Sequence, residues 1–127
     1  MRSNSSVINV YKKNNIRSEV VTQLLYGDTF KKIKKTGTWI KIKNDVDNYK
    51  GYIKNNKFLP NQKNTHKICT ISATLYSRPN SKNKIKKKLS FGSKIKIVEK
   101  KGDFYKFDNL WIKTKDLKKI SYKIKDI

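Results

Sequence analysis

The chain has one cysteine, one histidine and only nine acidic residues among its 127. A lone Cys69 forbids an intrachain disulfide, and with His66 as the only imidazole no Cys- or His-rich metal centre can be assembled, so neither a metal nor another cofactor is expected. Long apolar runs are missing too. The start passes from Arg2-Ser3-Asn4-Ser5-Ser6 through Val7 to Val10 and then to Lys12-Lys13, which is too short an apolar stretch for a signal peptide and far too short for a membrane span. The expected address is therefore cytoplasmic, with cell-wall association left open. An apolar stripe of helical period persists nowhere for three turns, which leaves room for no more than a single helical turn, near 54–58 or 113–117. With five glycines and two prolines, bends are few, and each one carries weight.

What the chain has in excess is lysine. The formal net charge is +23, from 32 Lys and Arg against nine Asp and Glu, and a field of that sign attracts nucleic acid, anionic lipid or acidic wall polymers. Only Arg2, Arg17 and Arg78 are arginines, however, and Asn and Ile are also abundant, as an AT-rich genome would dictate. A dedicated nucleic-acid reader favours Arg, whose planar fork grips phosphates and guanine edges in a way that the point charge of Lys does not. The charge is therefore read first as compositional. The apolar fraction of 35% is lean but, with 11% aromatics, sufficient for a small core.

The clearest internal signal is self-similarity. Leu24, Gly27, Phe30, Ile33, Gly37, Trp39, Ile40 and Ile42 map by an offset of 65 onto Leu89, Gly92, Ile95, Val98, Gly102, Phe104, Tyr105 and Phe107. Beyond them the offset falls to 59, placing Tyr52-Ile53 on Trp111-Ile112 and Phe58 on Leu117. A shortened turn explains the change: Asn44-Asp45-Val46-Asp47-Asn48 in the first copy, little more than Asp108-Asn109 in the second. Both copies read as strands. Ser93 to Val98 alternates through Ile95 and Ile97, while the first copy rests on Phe30 and Ile33 at the matching place. Gly27-Asp28 and Gly92-Ser93 supply bends, and Gly37 and Gly102 open the following hairpins. The polar segment 61–67, with Asn61, Gln62, Asn64 and Thr65, reads as a linker. The expected architecture is all-β, with domains at 7–60 and 68–120, each a small closed or nearly closed barrel.

Val21-Thr22-Gln23-Leu24-Leu25-Tyr26-Gly27-Asp28, then Gly37-Thr38-Trp39-Ile40-Lys41-Ile42 and Gly51-Tyr52-Ile53, resemble a bacterial SH3 domain. Thr65-His66, Tyr76-Ser77-Arg78-Pro79-Asn80-Ser81-Lys82, Leu89-Ser90-Phe91-Gly92 and Trp111-Ile112 are similar to the second of two SH3-like domains preceding the catalytic domain of NlpC-type cysteine peptidases, the dipeptidyl-peptidase VI class. That resemblance implies two tandem small SH3-like barrels associated with cleavage of γ-D-glutamyl to diamino-acid bonds in peptidoglycan peptides. It also implies a peptidase domain bearing an Asp-Cys-Ser nucleophile, which this sequence does not contain. Cys69 reads as a small buried strand residue, and His66 has no partner with which to build a triad, so catalysis is not expected. The peptidase is expected as a separate or lost partner.

Most aromatics are assigned to the core. The functional alternative is that Tyr26, Trp39 and Tyr52 line a shallow groove for an extended peptide, with Tyr76 and Trp111 as counterparts in the second copy. Lys31, Lys32, Lys34 and Lys35, and Lys84, Lys86, Lys87 and Lys88, read as solvated faces that aid encounter with carboxylates. The expected ligand is a peptidoglycan-derived peptide or wall fragment, and nucleic acid ranks second because the aromatics are not interleaved with Arg.

Overall fold

The computed structural model describes residues 1–121. It is all-β, and the chain divides into two compact units, Met1–Asn61 and Gln62–Ile127. The first unit holds β1 (Val7–Tyr11), β2 (Val20–Leu25), β3 (Phe30–Thr36), β4 (Trp39–Asn44) and β5 (Lys50–Lys54), in one antiparallel sheet of order β2-β1-β5-β4-β3. Its core, Val10, Leu24, Phe30, Ile40, Ile42 and Ile53, is buried, with Ile8, Val21 and Phe58 packed against it.

The second unit holds β6 (His66–Ile68), β7 (Ser72–Tyr76), β8 (Lys84–Ser90), β9 (Lys94–Ile95), β10 (Glu99–Lys101), β11 (Phe104–Phe107), β12 (Leu110–Lys113) and β13 (Leu117–Lys119). A 3-10 turn at Thr114–Asp116 is the one helical turn among the described residues; 54–58 contains none. The main sheet runs β10-β11-β12-β7-β8. Read from β8, that is the first unit's order with each strand replaced by its counterpart at the two offsets, and β9 and β10 together stand in for β3.

The hydrogen bonds of the bends follow the same correspondence. Ser3 N donates to Asp28 O and Gly27 N to Ser3 O, each at 2.9 Å, as Ile68 N donates to Ser93 O at 2.8 Å and Gly92 N to Ile68 O at 3.0 Å. Gly27, Gly37, Gly92 and Gly102 all have positive φ, between 55° and 89°, where a Cβ would be strained. Asp108 and Asn109 also take positive φ, 43° and 61°, as a two-residue hairpin with a right-handed twist requires.

Four details differ from the sequence reading. Arg2 bridges both Thr29 and Leu59, as Lys67 pairs with Lys94 and Lys118, so the folded copies begin at Met1 and near His66 rather than at Val7 and Ile68. His66 and Lys67, assigned to the linker, are strand residues, paired on one side with β13 and on the other with β9: backbone pairing does not need an apolar sequence. Ile33 is 49% exposed, because the register of β3 shifts between Lys32 and Lys34 and the bulged residue leaves the inner face. The alternation expected from Ser93 to Val98 ends at Ile95, after which Ile97 is half-buried and Val98 exposed.

Candidate functional site

Along β4 and β5, Ile40, Ile42 and Ile53 point into the core of the first unit, and the alternate residues stand on the other face. That face carries Trp39, Lys41 and Lys43 from β4 and Lys50, Tyr52 and Lys54 from β5. Register places Tyr52 opposite both Tyr11 and Lys41, and Trp39 opposite Lys54. The edge of one ring meets the face of the other in the Tyr11–Trp39 pair, with centroids 5.7 Å apart and planes at 85°. The Lys54 ammonium lies 5.8 Å from the centre of the Trp39 ring, and that of Lys41 lies 5.9 Å from Tyr52. Trp39, Tyr52 and Tyr11 are half-buried. Tyr11 was not singled out as a site residue; its counterpart by the same offset is Tyr76, and that pairing is the signal that would have found it.

Tyr26 does not join this group as expected. It is 2% exposed, at the bend after β2, and belongs to the packed interior.

The second unit repeats the cluster under deeper cover. Tyr76 pairs with Trp111 in register and sets its ring against Phe104 at 5.2 Å and 85°. Lys106 and Lys101 lie over Trp111 at 5.8 and 5.9 Å, and Lys113 over Tyr76 at 5.8 Å. The three rings form a buried cluster, so Tyr76 and Trp111, expected to line a groove, are packed inside, and of the three only Phe104 reaches the cavity beside it. The residues around the opening are ones the sequence reading passed over. A cavity of about 280 Å³ is lined by Ser81 from the β7–β8 loop, Asp103 and Phe104 from the β10–β11 hairpin, Lys113 at the end of β12, and Thr114 and Lys115 from the turn after it. The turn is held by Thr114 N donating to Asp103 O at 2.8 Å. Thr38 and Asn55, joined by the matching bond of 2.7 Å, occupy the corresponding places in the first unit without charge.

A second cavity, of about 310 Å³, is lined by His66, Tyr105, Thr114, Leu117, Lys118, Lys119 and Ser121. The His66 and Tyr105 rings are 5.1 Å apart, and Thr65 Oγ1 lies 2.8 Å from His66 Nδ1. Thr65 Oγ1 also accepts from Ile97 N at 3.0 Å, so one hydroxyl ties the imidazole to the backbone that follows β9. Partial burial, reinforced by Lys119, holds the imidazole below its ordinary pKa. Burial likewise raises the Asp116 carboxyl above the usual range, opposed by Lys115 and Lys113.

Cys69 is half-buried rather than fully packed; its amide donates to Asp116 O at 2.9 Å, and its sulfur lies 4.0 Å from Lys115 O. Among the described residues no group of three or more His, Cys, Asp or Glu is placed to hold a metal ion, and no helix is long and apolar enough to cross a membrane.

Residues 5–60 match the family model of the bacterial SH3 domain. No curated protein matches the chain. Among solved structures, the chain is similar to an NlpC/P60 family protein from Bacillus cereus ATCC 10987, with a TM-score of 0.73 and 14% identity over 92% of this chain. The chain spans 55% of that protein's length. In fold, the expected resemblance to the SH3-like part of NlpC-type peptidases is borne out.

Proposed function

We propose that the chain is a non-catalytic cell-wall module that binds peptidoglycan-derived peptides and presents or gates them for a cysteine peptidase carried elsewhere. The observation that carries this reading is the 280 Å³ cavity beside Phe104, where one carboxylate, Asp103, and two ammonium groups, Lys113 and Lys115, surround an aromatic edge. A stem peptide bearing a free amine, the free α-carboxylate of a γ-linked glutamate and a diamino acid is zwitterionic at short spacing, and such an arrangement complements it: Asp103 for the amine, the lysines for carboxylates, Ser81 and Thr114 for amide groups. The volume suits one or two residues of a peptide, at the small end of ligand pockets. Support also comes from the family match of residues 5–60 and from the fold shared with an NlpC/P60 protein.

The rival reading, a nucleic-acid module, needs open ring faces on which bases stack. Lysines stand over Trp39, Tyr52, Tyr76 and Trp111 instead, which favours the wall ligand.

Calorimetric titration of the full chain with a γ-D-glutamyl diamino-acid peptide tests the proposal. Binding is expected and should weaken about tenfold when Asp103→Asn leaves the amine without its counter-ion, a loss of about 1.4 kcal/mol. Absence of binding, or an Asp103→Asn variant that binds as well as the parent, would remove the reading.

A further inference from the structure

We propose that the outer face of β3, β4 and β5 in the first unit binds a linear wall polyanion, a polyol chain joined by phosphodiesters. The idea rests on the wall-directed reading above for the source of the polymer, but on a different unit and different residues.

Register assembles the charge. Lys31 faces Lys43, and Lys43 faces Lys50, so three ammonium groups cross three strands in one row. In the next row Lys34 faces Lys41, and Lys54 completes the set beside Trp39. Like charges directly opposite one another destabilise a sheet, and no carboxylate stands opposite any of the six in register. An anion laid across the rows relieves that repulsion. Two of the lysines are also held in place, Lys41 over Tyr52 and Lys54 over Trp39, so less side-chain freedom is lost on binding.

The corresponding face of the second unit shows that lysine-rich composition does not by itself produce this arrangement. Where Lys34 faces Lys41 in the first unit, Glu99 faces Lys106 in the second. The counterparts of Lys43 and Lys50 are Asp108 and Asn109. Both copies were written in the same codon usage, and only one face is free of acids.

The same details narrow the ligand. Six ammonium groups outnumber the carboxylates of one stem peptide. Nucleobases would need the ring faces that Lys41 and Lys54 cover, and the face contains no Arg. Same-face lysines along a strand are spaced about 6.7 Å apart, comparable to the reach of a three-carbon diol between two phosphorus atoms. A polyol phosphate presents one charge per such unit and asks for no stacking.

The test is titration of the full chain with soluble poly(glycerol phosphate) at about 50 mM and about 200 mM salt. Two triple variants remove the same charge: Lys41→Gln/Lys43→Gln/Lys54→Gln on the face, and Lys84→Gln/Lys86→Gln/Lys96→Gln on exposed positions of the second unit. Salt-sensitive binding is expected, weakened tenfold or more by the first triple and about threefold or less by the second. Should the first triple fail to fold by circular dichroism, Lys43→Gln alone is compared with Lys86→Gln, with the same ordering expected. Equal losses from the two sets would reduce the effect to net charge and overturn the proposal. So would absence of binding, or tighter binding of a single-stranded oligonucleotide of equal charge. Titrating the parent chain with the γ-D-glutamyl peptide as well separates the two ideas. A parent chain that binds the peptide but not the polymer sinks this one alone, and one that binds the polymer but not the peptide sinks the earlier one alone.

Discussion

Tyr26 and Phe91 stand at corresponding places 65 residues apart, each immediately before a bend glycine of positive φ, yet Tyr26 is 2% exposed and Phe91 61%. The sheet aromatics differ in the opposite direction. Tyr11, Trp39 and Tyr52 are half-open in the first unit, whereas Tyr76, Phe104 and Trp111 are closed in the second. Strand order, bends and bend hydrogen bonds coincide, so the template does not decide which ring is wet. The surroundings differ as well: Lys101, Lys106 and Lys113 lie over rings of the second cluster, and Lys41 and Lys54 over rings of the first. One scaffold thus supports a ring cluster that mainly stabilises and another whose rim remains reachable.

The largest expected effect separates the two tryptophans. Trp111→Ala should cost about 3–5 kcal/mol, as for a packed aromatic, and Trp39→Ala only about 1 kcal/mol. Hydrogen exchange read by mass spectrometry under increasing urea measures each unit separately. Equal costs would mean that the two clusters are energetically alike and that the contrast in exposure has no consequence.

A smaller effect is expected where β5 passes β1. A Cβ on Gly51 would lie 2.6 Å from a Val10 methyl and 2.7 Å from the Tyr11 carbonyl oxygen, and the backbone atom cannot swing away. Gly51→Ala should destabilise the first unit by about 1–3 kcal/mol. The second unit has Leu110 at the corresponding place, so Leu110→Ala should cost about 1 kcal/mol through lost contact instead. Thermal unfolding of the two variants checks the ordering, and a harmless Gly51→Ala would show that the strands there can separate without cost.

The smallest effect concerns pH. Only the second unit has a histidine, and its folded pKa lies below the ordinary 6.5. The unfolded chain then binds more protons between the two values. The contribution of His66 is complete above the unfolded pKa and is lost as pH falls through the folded one. The second unit should therefore soften between about pH 7 and pH 5, while His66→Gln flattens the slope and the first unit stays indifferent over that interval. A slope unchanged by His66→Gln would remove His66 as its source, and Asp116 could not replace it, because a carboxyl held above its usual range firms the unit as pH falls.

Much of this was legible in the chain itself. Leu24 and Leu89, Phe30 and Ile95, Ile42 and Phe107, and Ile53 and Ile112 are buried in pairs, as their shared offsets imply. The two-residue turn at Asp108-Asn109 follows from those residues' tolerance of positive φ. Ile33 escaped because a bulge inverts the alternation locally, and Tyr26 because an aromatic beside a bend looks alike whether it faces in or out. Asp103, Lys113 and Lys115 escaped for another reason. They meet only when a hairpin and a turn about ten residues apart are brought together, and isolated charges in a lysine-rich chain carry no spacing signal.

Strand β3 lies at one end of its sheet, a place where unpaired backbone invites a second copy to add a strand. Lys31, Lys32, Lys34 and Lys35, together with the bulge at Ile33, give that edge both charge and a kink, two devices by which sheets discourage such growth. The protection is colloidal and depends on the charge staying unscreened. Titrated to charge balance by any polyanion, the protein would keep its fold but lose the repulsion between edges, so turbidity should peak near equivalence and clear again when either component is in excess.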